Sequence, residues 1–281
     1  MKTQSSSKIK AISGRKAFRK QGTCSRTFQY LLNREFRSAN LQEERASDPL
    51  AGGILQLGKQ CGMLWGSSLA VGAEAYRRTR DVDKAGKLAI GATQALMESY
   101  FQEEKTHNCR DVTRCDFLNK WSFAKYMITG RFLHCFALAE TWAPKAIETA
   151  KEALDKAEVL EESPCVNCAS LVAKKWGASD EQISKVAGFA GGMGLSGNGC
   201  GALAAAIWLR NLDWCEENEK GDSFKNEKAM EVLARFQAMM GDKIICKEIS
   251  ERNFEDLKEH SDYIENGGCS ELITMLAESK E

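Results

Sequence analysis

Eight of the eleven cysteines fall into two sets of four with nearly the same spacing: Cys24, Cys61, Cys109 and Cys135, then Cys168, Cys200, Cys246 and Cys269. The gaps are 37, 48 and 26 residues in the first set and 32, 46 and 23 in the second. Four thiolates brought to one point suit a [2Fe–2S] or [4Fe–4S] cluster or a tetrahedral Zn²⁺; taken in pairs, they could form reversible disulfides. Zinc-finger ligands come in close C-x₂₋₄-C pairs, so spacing this wide requires a fold, not a loop, to gather the sulfurs. A lone free cysteine is usually a small buried hydrophobe. Four positions recurring in both halves argue instead for shared chemistry.

The local context recurs with them. Ala51-Gly52-Gly53 leads to Gly58 and Cys61-Gly62, and Ala190-Gly191-Gly192 leads to Gly197 and Cys200-Gly201 at the same offsets. Cys109-Arg-Asp-Val-Thr-Arg-Cys-Asp-Phe117 parallels Cys246-Lys-Glu-Ile-Ser-Glu-Arg-Asn-Phe254 over most of its length. The chain therefore reads as a tandem repeat of one four-cysteine unit of roughly 140 residues, within the usual size of a domain. Cys115 and Cys215 have no counterpart in the other half and read as core residues. His107 and His134 flank Cys109 and Cys135, but no histidine stands at the matching places of the second half, so they read as incidental. Cys165-Val-Asn-Cys168 has the C-x-x-C spacing of thiol–disulfide oxidoreductases, without a βαβ pattern around it. No such pair is followed by histidine, which excludes c-type haem attachment by motif. Gly192-Met-Gly194-Leu-Ser-Gly197 fits G-x-G-x-x-G formally. Asp180–Phe189 before it reads as helix and not strand, which argues against a nicotinamide site.

The elements that must position these residues read as helices. There are only three prolines in 281 residues, Ala, Leu, Glu and Lys abound, and strict apolar/polar alternation is nearly absent. Residues 136–160 read as a long helix joining the halves, with Pro144 in its first turn and Ala146, Ala150, Ala153 and Ala157 on one face. Each glycine-rich stretch precedes a Cys-Gly pair that opens an apolar segment. That places a cysteine at a helix N-terminus, where free N–H groups and the helix dipole favour a thiolate or an anionic cluster.

With 43% hydrophobic residues the chain can bury a sizeable core, and its formal net charge of zero gives no whole-chain case for binding nucleic acid. No run approaches the roughly 20 apolar residues of a membrane span, and the basic N-terminus is not followed by the apolar region of a secretory signal. A cytoplasmic location is the expectation, where cysteine clusters more often bind metals or do redox chemistry than form structural disulfides.

The order of the cysteines, with Gly-Gly before Cys-Gly, resembles the C_GCAxxG_C_C family of redox-active proteins, whose units carry four characteristic cysteines, one in a Cys-Gly-Ala-x-x-Gly motif. Split-Soret cytochrome c is a similar protein that adds haem. Cys61-Gly62-Met63-Leu64-Trp65-Gly66 keeps the last glycine of the motif and replaces the alanine. Cys200-Gly201-Ala202-Leu203-Ala204-Ala205 keeps the alanine and loses the last glycine. The resemblance covers essentially the whole chain, once per half, and implies redox chemistry at the cysteines.

The expectation is thus an all-α protein of two pseudo-symmetric halves. Residues 1–20 form a basic leader lacking fixed structure, 21–160 the first unit with its connecting helix, and 161–281 the second. Each quartet is expected to hold an iron–sulfur cluster, with the backbone N–H groups of Gly62 and Gly201 turned to its sulfurs and a protein redox partner to exchange electrons with. Two alternatives stand beside this: a metal-free oxidoreductase using Cys165 and Cys168, and a structural zinc protein. The halves are expected to meet across a pseudo-twofold axis, as a monomeric pseudo-dimer or within a homodimer.

Overall fold

The computed structural model describes residues 12–155, 163–224 and 226–280, and all regular structure among them is helical. The first unit contains α1 (Gly14–Gln21), α2 (Cys24–Phe36), α3 (Leu41–Ala46), α4 (Gly62–Thr79), α5 (Val82–Glu104), α6 (Cys109–Thr113), α7 (Lys120–Ile128) and α8 (Phe132–Leu154). The second contains α9 (Cys168–Trp176), α10 (Asp180–Ala187), α11 (Gly201–Glu217), α12 (Glu227–Met240), α13 (Cys246–Ser250), α14 (Leu257–Glu265) and α15 (Ser270–Ala277). Short polar side chains start many of these helices. Thr23, Asn40, Asp81, Asn167 and Ser179 each accept a hydrogen bond from a first-turn N–H, satisfying donors that the helix itself leaves open. No described helix is long and apolar enough to cross a membrane.

Two expectations change in detail. The helix expected at 136–160 begins earlier, at Phe132, and Pro144 is its thirteenth residue; it would lie in the interior with either start, so the first-turn placement does not hold. Having no N–H, Pro144 leaves one carbonyl of the preceding turn without its helical partner. Residues 156–160 of that expectation lie outside the described residues. From residue 12 the basic leader is structured: α1 packs on α8, and Glu140 accepts hydrogen bonds from Ser13 Oγ (2.6 Å) and the Arg15 N–H (2.7 Å).

The halves repeat one packing plan. α2 lies on α4, α5 beside α4 and α8 on α5; in the same way α9 lies on α11, α12 beside α11 and α15 on α12. The short helix before each glycine turn crosses to the other unit, α3 onto α11 and α10 onto α4. Position by position the exchange is reciprocal. A Cβ at Gly72 of α4 would meet Ser184 O at 2.5 Å and Lys185 Cα at 2.6 Å. Asn211, 139 residues on, instead donates to the carbonyls of Arg45 (3.4 Å) and Ala46 (3.0 Å), the counterparts of Ser184 and Lys185. One hydrophobic core runs through both units and includes Trp65, Trp142 and Trp208, all fully buried.

Polar contacts lock this exchange. Lys185 Nζ reaches both carboxylate oxygens of Glu43 at 2.6 Å, with both side chains buried, and also meets Glu181 at 2.7 Å. Burial lifts Glu43 above the usual carboxylate range despite the lysine. Removing one partner of such a pair strands the other charge, whereas replacing both with apolar groups is often close to neutral. We therefore expect Lys185→Met to cost about 3–5 kcal/mol in urea unfolding and Lys185→Met with Glu43→Leu to recover most of it. A single variant as stable as wild type would show that the pair does not hold the halves together.

Candidate redox centres

Each quartet is built around a backbone turn of the wrong hand. Residues 52–56 all have positive φ (70°, 76°, 62°, 47° and 67°), as do residues 191–195 (58°, 79°, 69°, 53° and 62°). Non-glycine residues visit this region one at a time and at about 1–2 kcal/mol each. Ile54, Leu55, Gln56, Met193 and Leu195 occupy it here in runs. Hydrogen bonds back to the residues before the turn hold it, for example Ile54 N–H to Leu50 O (3.2 Å) and, in the second half, Met193 N–H to Phe189 O (2.9 Å). Glycine is required at Gly192, where a Cβ would meet Asn198 N at 2.6 Å and Cys246 Cβ at 2.9 Å. The G-x-G-x-x-G match at Gly192, Gly194 and Gly197 thus belongs to this turn, with a helix and not a strand before it.

The turn delivers the cysteines. Its first N–H faces a cysteine sulfur in each half, Gly52 toward Cys24 and Gly191 toward Cys168. A two-bond clip then ties the second cysteine to the third. Cys61 N–H donates to His107 O and Cys109 N–H to Lys59 O, both at 2.7 Å; Cys200 N–H donates to Ile244 O (2.8 Å) and Cys246 N–H to Asn198 O (2.5 Å). Isolated antiparallel bridges, Gln60–Asn108 and Gly199–Ile245, mark the two clips.

Seven of the eight cysteines stand at the first turn boundary of a helix. Cys24, Cys109, Cys168 and Cys246 are first residues of α2, α6, α9 and α13, while Cys61, Cys200 and Cys269 cap α4, α11 and α15. Cys135 is the fourth residue of α8. α8 thus starts nearly a turn ahead of its cysteine, which accounts for the three extra residues in the first unit's last gap. Four of the five extra residues in the first unit's first gap lie in its helix, since α2 is 13 residues long and α9 only 9.

Both quartets are brought together. Cys24, Cys61, Cys109 and Cys135 line one cavity of about 520 Å³, walled by aromatic and apolar side chains. Cys168, Cys200, Cys246 and Cys269 line another of only about 20 Å³. No three His, Cys, Asp or Glu side chains among the described residues are drawn in around one point as metal ligands. Gly62 and Gly201 open α4 and α11 at places of close approach: a Cβ on Gly62 would run into Cys24 Sγ, and one on Gly201 into the Phe189 carbonyl. Gly66, the motif glycine kept in the first half, is pressed against the Ser25 carbonyl of α2.

Burial sets the thiol chemistry. It pushes Cys61 and Cys109 well up, Cys135 and Cys168 to about 11, Cys200 to about 12, and Cys246 and Cys269 upward; for Cys61 the hydrogen bond it gives to Cys24 contributes more than burial. Cys24 alone is lowered. The Cys61 thiol donates to it, and the N–H groups of Gly52 and Ser25 add to that, together outweighing burial. Hydroxyls complete the surroundings at matching offsets. Tyr126 Oη lies 3.8 Å from Cys135 Sγ and Tyr263 Oη 3.7 Å from Cys269 Sγ. Thr113 and Ser250 donate to the carbonyls of Cys109 (2.6 Å) and Cys246 (2.9 Å). Tyr100, buried, turns its hydroxyl toward Cys61. The two paired tyrosines were visible in the sequence, each 17 residues after the third cysteine of its unit.

The remaining candidates fall outside these cavities. Cys165 packs with Ile90, Ala190 and Leu195 and accepts from Asn167 Nδ2 at 3.7 Å, so the C-x-x-C pair is divided between two environments. Cys115 and Cys215 are core residues. His107 Nε2 bonds the Met97 carbonyl (2.9 Å), and His134 pairs with Glu104 (3.0 Å).

A family model described as "Putative redox-active protein (C_GCAxxG_C_C)" matches residues 23–149 and again 163–280. The chain belongs to the C_GCAxxG_C_C family, in two tandem copies. It matches no curated protein and no solved structure. The C_GCAxxG_C_C signature takes on a physical meaning here: the Cys-Gly is the helix cap against the neighbouring cysteine, and the last glycine is the crossing point with α2.

In reduced, metal-free protein at pH 7, iodoacetamide should modify Cys24 several-fold faster than Cys109, because a lowered pKa leaves more thiolate at that pH. Cys61→Ala should slow the Cys24 reaction at pH 7 and bring the rate back as pH rises toward 9; equal rates at Cys24 and Cys109 would refute the assignment. Gly62→Ala should cost about 1–3 kcal/mol by overpacking and shift Cys24 reactivity. Gly91→Ala, which meets nothing within 4 Å, should stabilise α5 by up to about 1 kcal/mol.

Proposed function

We propose that each four-cysteine cavity is the ligand set of an iron–sulfur cluster, and that this redox-active protein transfers or senses electrons through it. The observation that carries the reading is that four cysteines from four helices line one cavity, seven of the eight at a helix start, repeated in both halves around the same turn. The donors fit in kind, since thiolates are the usual cluster ligands. The first cavity has room for a cluster. The second holds about one water's worth of space as it stands, so a cluster there requires its side chains to move apart. When bound, a cluster supplies a one-electron couple. The chain would contribute sulfur-directed N–H groups at Gly52 and Gly191, hydroxyls at Tyr126 and Tyr263, and exclusion of water, each of which tunes a potential.

A second reading has its own observation. The hydrogen bond from Cys61 to the lowered Cys24 is the arrangement of an attacking and a resolving thiol. Two thiols would give one disulfide, two protons and two electrons to an oxidant. This replaces Cys165 and Cys168 as the candidate pair.

Iron and acid-labile sulfide measured on anaerobically purified protein separate the two. We expect both, with visible absorption, and loss of most of the iron in Cys109→Ser. Protein without iron or sulfide, forming a Cys24–Cys61 disulfide that persists in Cys109→Ser, would overturn the cluster in favour of the dithiol. Zinc alone in the elemental analysis would overturn both.

A further inference from the structure

The surface over the first cavity departs from the repeat. α7 and α14 are counterparts, with Tyr126 and Tyr263 in register, yet they show solvent opposite characters. Trp121 and Ile128 stand 86% and 87% exposed on one face of α7, flanked by Leu118 (62%) and Leu133 (56%). The positions matching Leu118, Trp121 and Ile128 on the second unit are Glu255, Lys258 and Glu265.

Charge divides the same way. Residues 117–139 contain no Asp or Glu and carry Lys120, Lys125 and Arg131, whereas residues 254–277 carry six acidic side chains and only Lys258 as a basic one. α1 adds to the cationic side. Phe18 packs on Phe136 at 4.7 Å and Arg19 lies over the same ring at 5.9 Å, which brings exposed Arg15, Lys16, Arg19 and Lys20 to the start of α8. The acidic groups nearby are engaged: Asp116 with Arg110 (3.2 Å) and Glu140 with Ser13 and Arg15.

We propose that this face docks on an anionic phospholipid surface. Trp121, Ile128 and Leu118 would enter the boundary between headgroups and acyl chains, while Lys120, Lys125, Arg131 and the α1 cations meet lipid phosphates. Apolar side chains on a short helix with interleaved cations are the pattern of an interfacial helix, and each basic side chain near an anionic leaflet adds to the attraction. A second copy docked through its own α7 would set Lys120, Lys125 and Arg131 against the same cations, which disfavours self-association through this face. The face borders the apolar cavity, because Met127, 46% exposed beside Ile128, also lines that cavity. The docking is independent of what the cysteines hold.

Flotation of the full chain with vesicles tests this, using phosphatidylcholine alone and an equal mixture with phosphatidylglycerol. Binding to the mixed vesicles, weakened by raising salt from about 0.1 to about 0.5 M as screening demands, is the expected result. Emission should shift to the blue, and Trp121→Phe should abolish the shift, since Trp65, Trp142, Trp176 and Trp208 are already buried and Trp214 is half-buried away from this face. Trp121→Glu with Ile128→Glu, both at solvent-exposed positions, should keep the helical circular dichroism and melting temperature while binding at least tenfold more weakly. Lys258→Glu on the second half should bind as wild type. No flotation with either composition, or undiminished binding of the double variant, would overturn the proposal. So would a concentration-dependent dimer that Ile128→Glu dissociates, which would mark the face as a contact between copies.

Discussion

Everything at the two centres depends on forcing five consecutive residues into the left-handed region. A run of this kind is costly for L-residues, and it persists because backbone hydrogen bonds close around it and the core covers it: Ile54 and Met193 are fully buried at its middle. The geometry gained is specific. A short left-handed turn reverses the chain within a few residues, points an N–H at the first cysteine, and releases the second as the cap of a long buried helix. Strain held in place by surrounding structure commonly marks functional sites, and here it occurs twice at the same offset.

The helical character and the duplication were legible because both are periodic properties: apolar spacing, and cysteine contexts recurring at fixed offsets. The grouping of the cysteines was legible for the same reason. What the sequence did not reveal was hand. Gly52-Gly53 announced a tight turn, but nothing in Ile54-Leu55-Gln56 announces positive φ, because those residues adopt it under tertiary constraint against their own preference. Pro144 reads as an early-helix residue but stands in the interior of α8, where contacts with α1 and α5 carry the helix through it. Histidine proximity in the sequence meant little, since His107 serves through its backbone carbonyl.

The two units keep the same scaffold but differ in what surrounds the sulfurs. Met63 in one and Ala202 in the other follow the capping glycine, and both are buried. Gly66 lets α2 press against α4, whereas Ala205 adds a methyl group at the corresponding crossing. On the first side the thiols open onto an aromatic-walled cavity; on the second they close on themselves, beside His260, whose Nδ1 is buried without a partner. Identical backbone instructions thus produce one accessible and one sealed environment, through substitutions that leave the turns and clips untouched.

The reciprocal crossing of α3 and α10 carries a consequence for how such a chain can change. In an assembly of two identical subunits every substitution appears twice, so a residue that suits one side of a twofold axis must also suit the other. Joining the units in one polypeptide removes that restriction. Lys185 can meet Glu43 with no second lysine facing a second glutamate, and Asn211 can bridge carbonyls where its mirror position must be glycine. The reciprocal contacts survive in the backbone while the side chains are free to differ, and each half can specialise without unmaking the frame that both share.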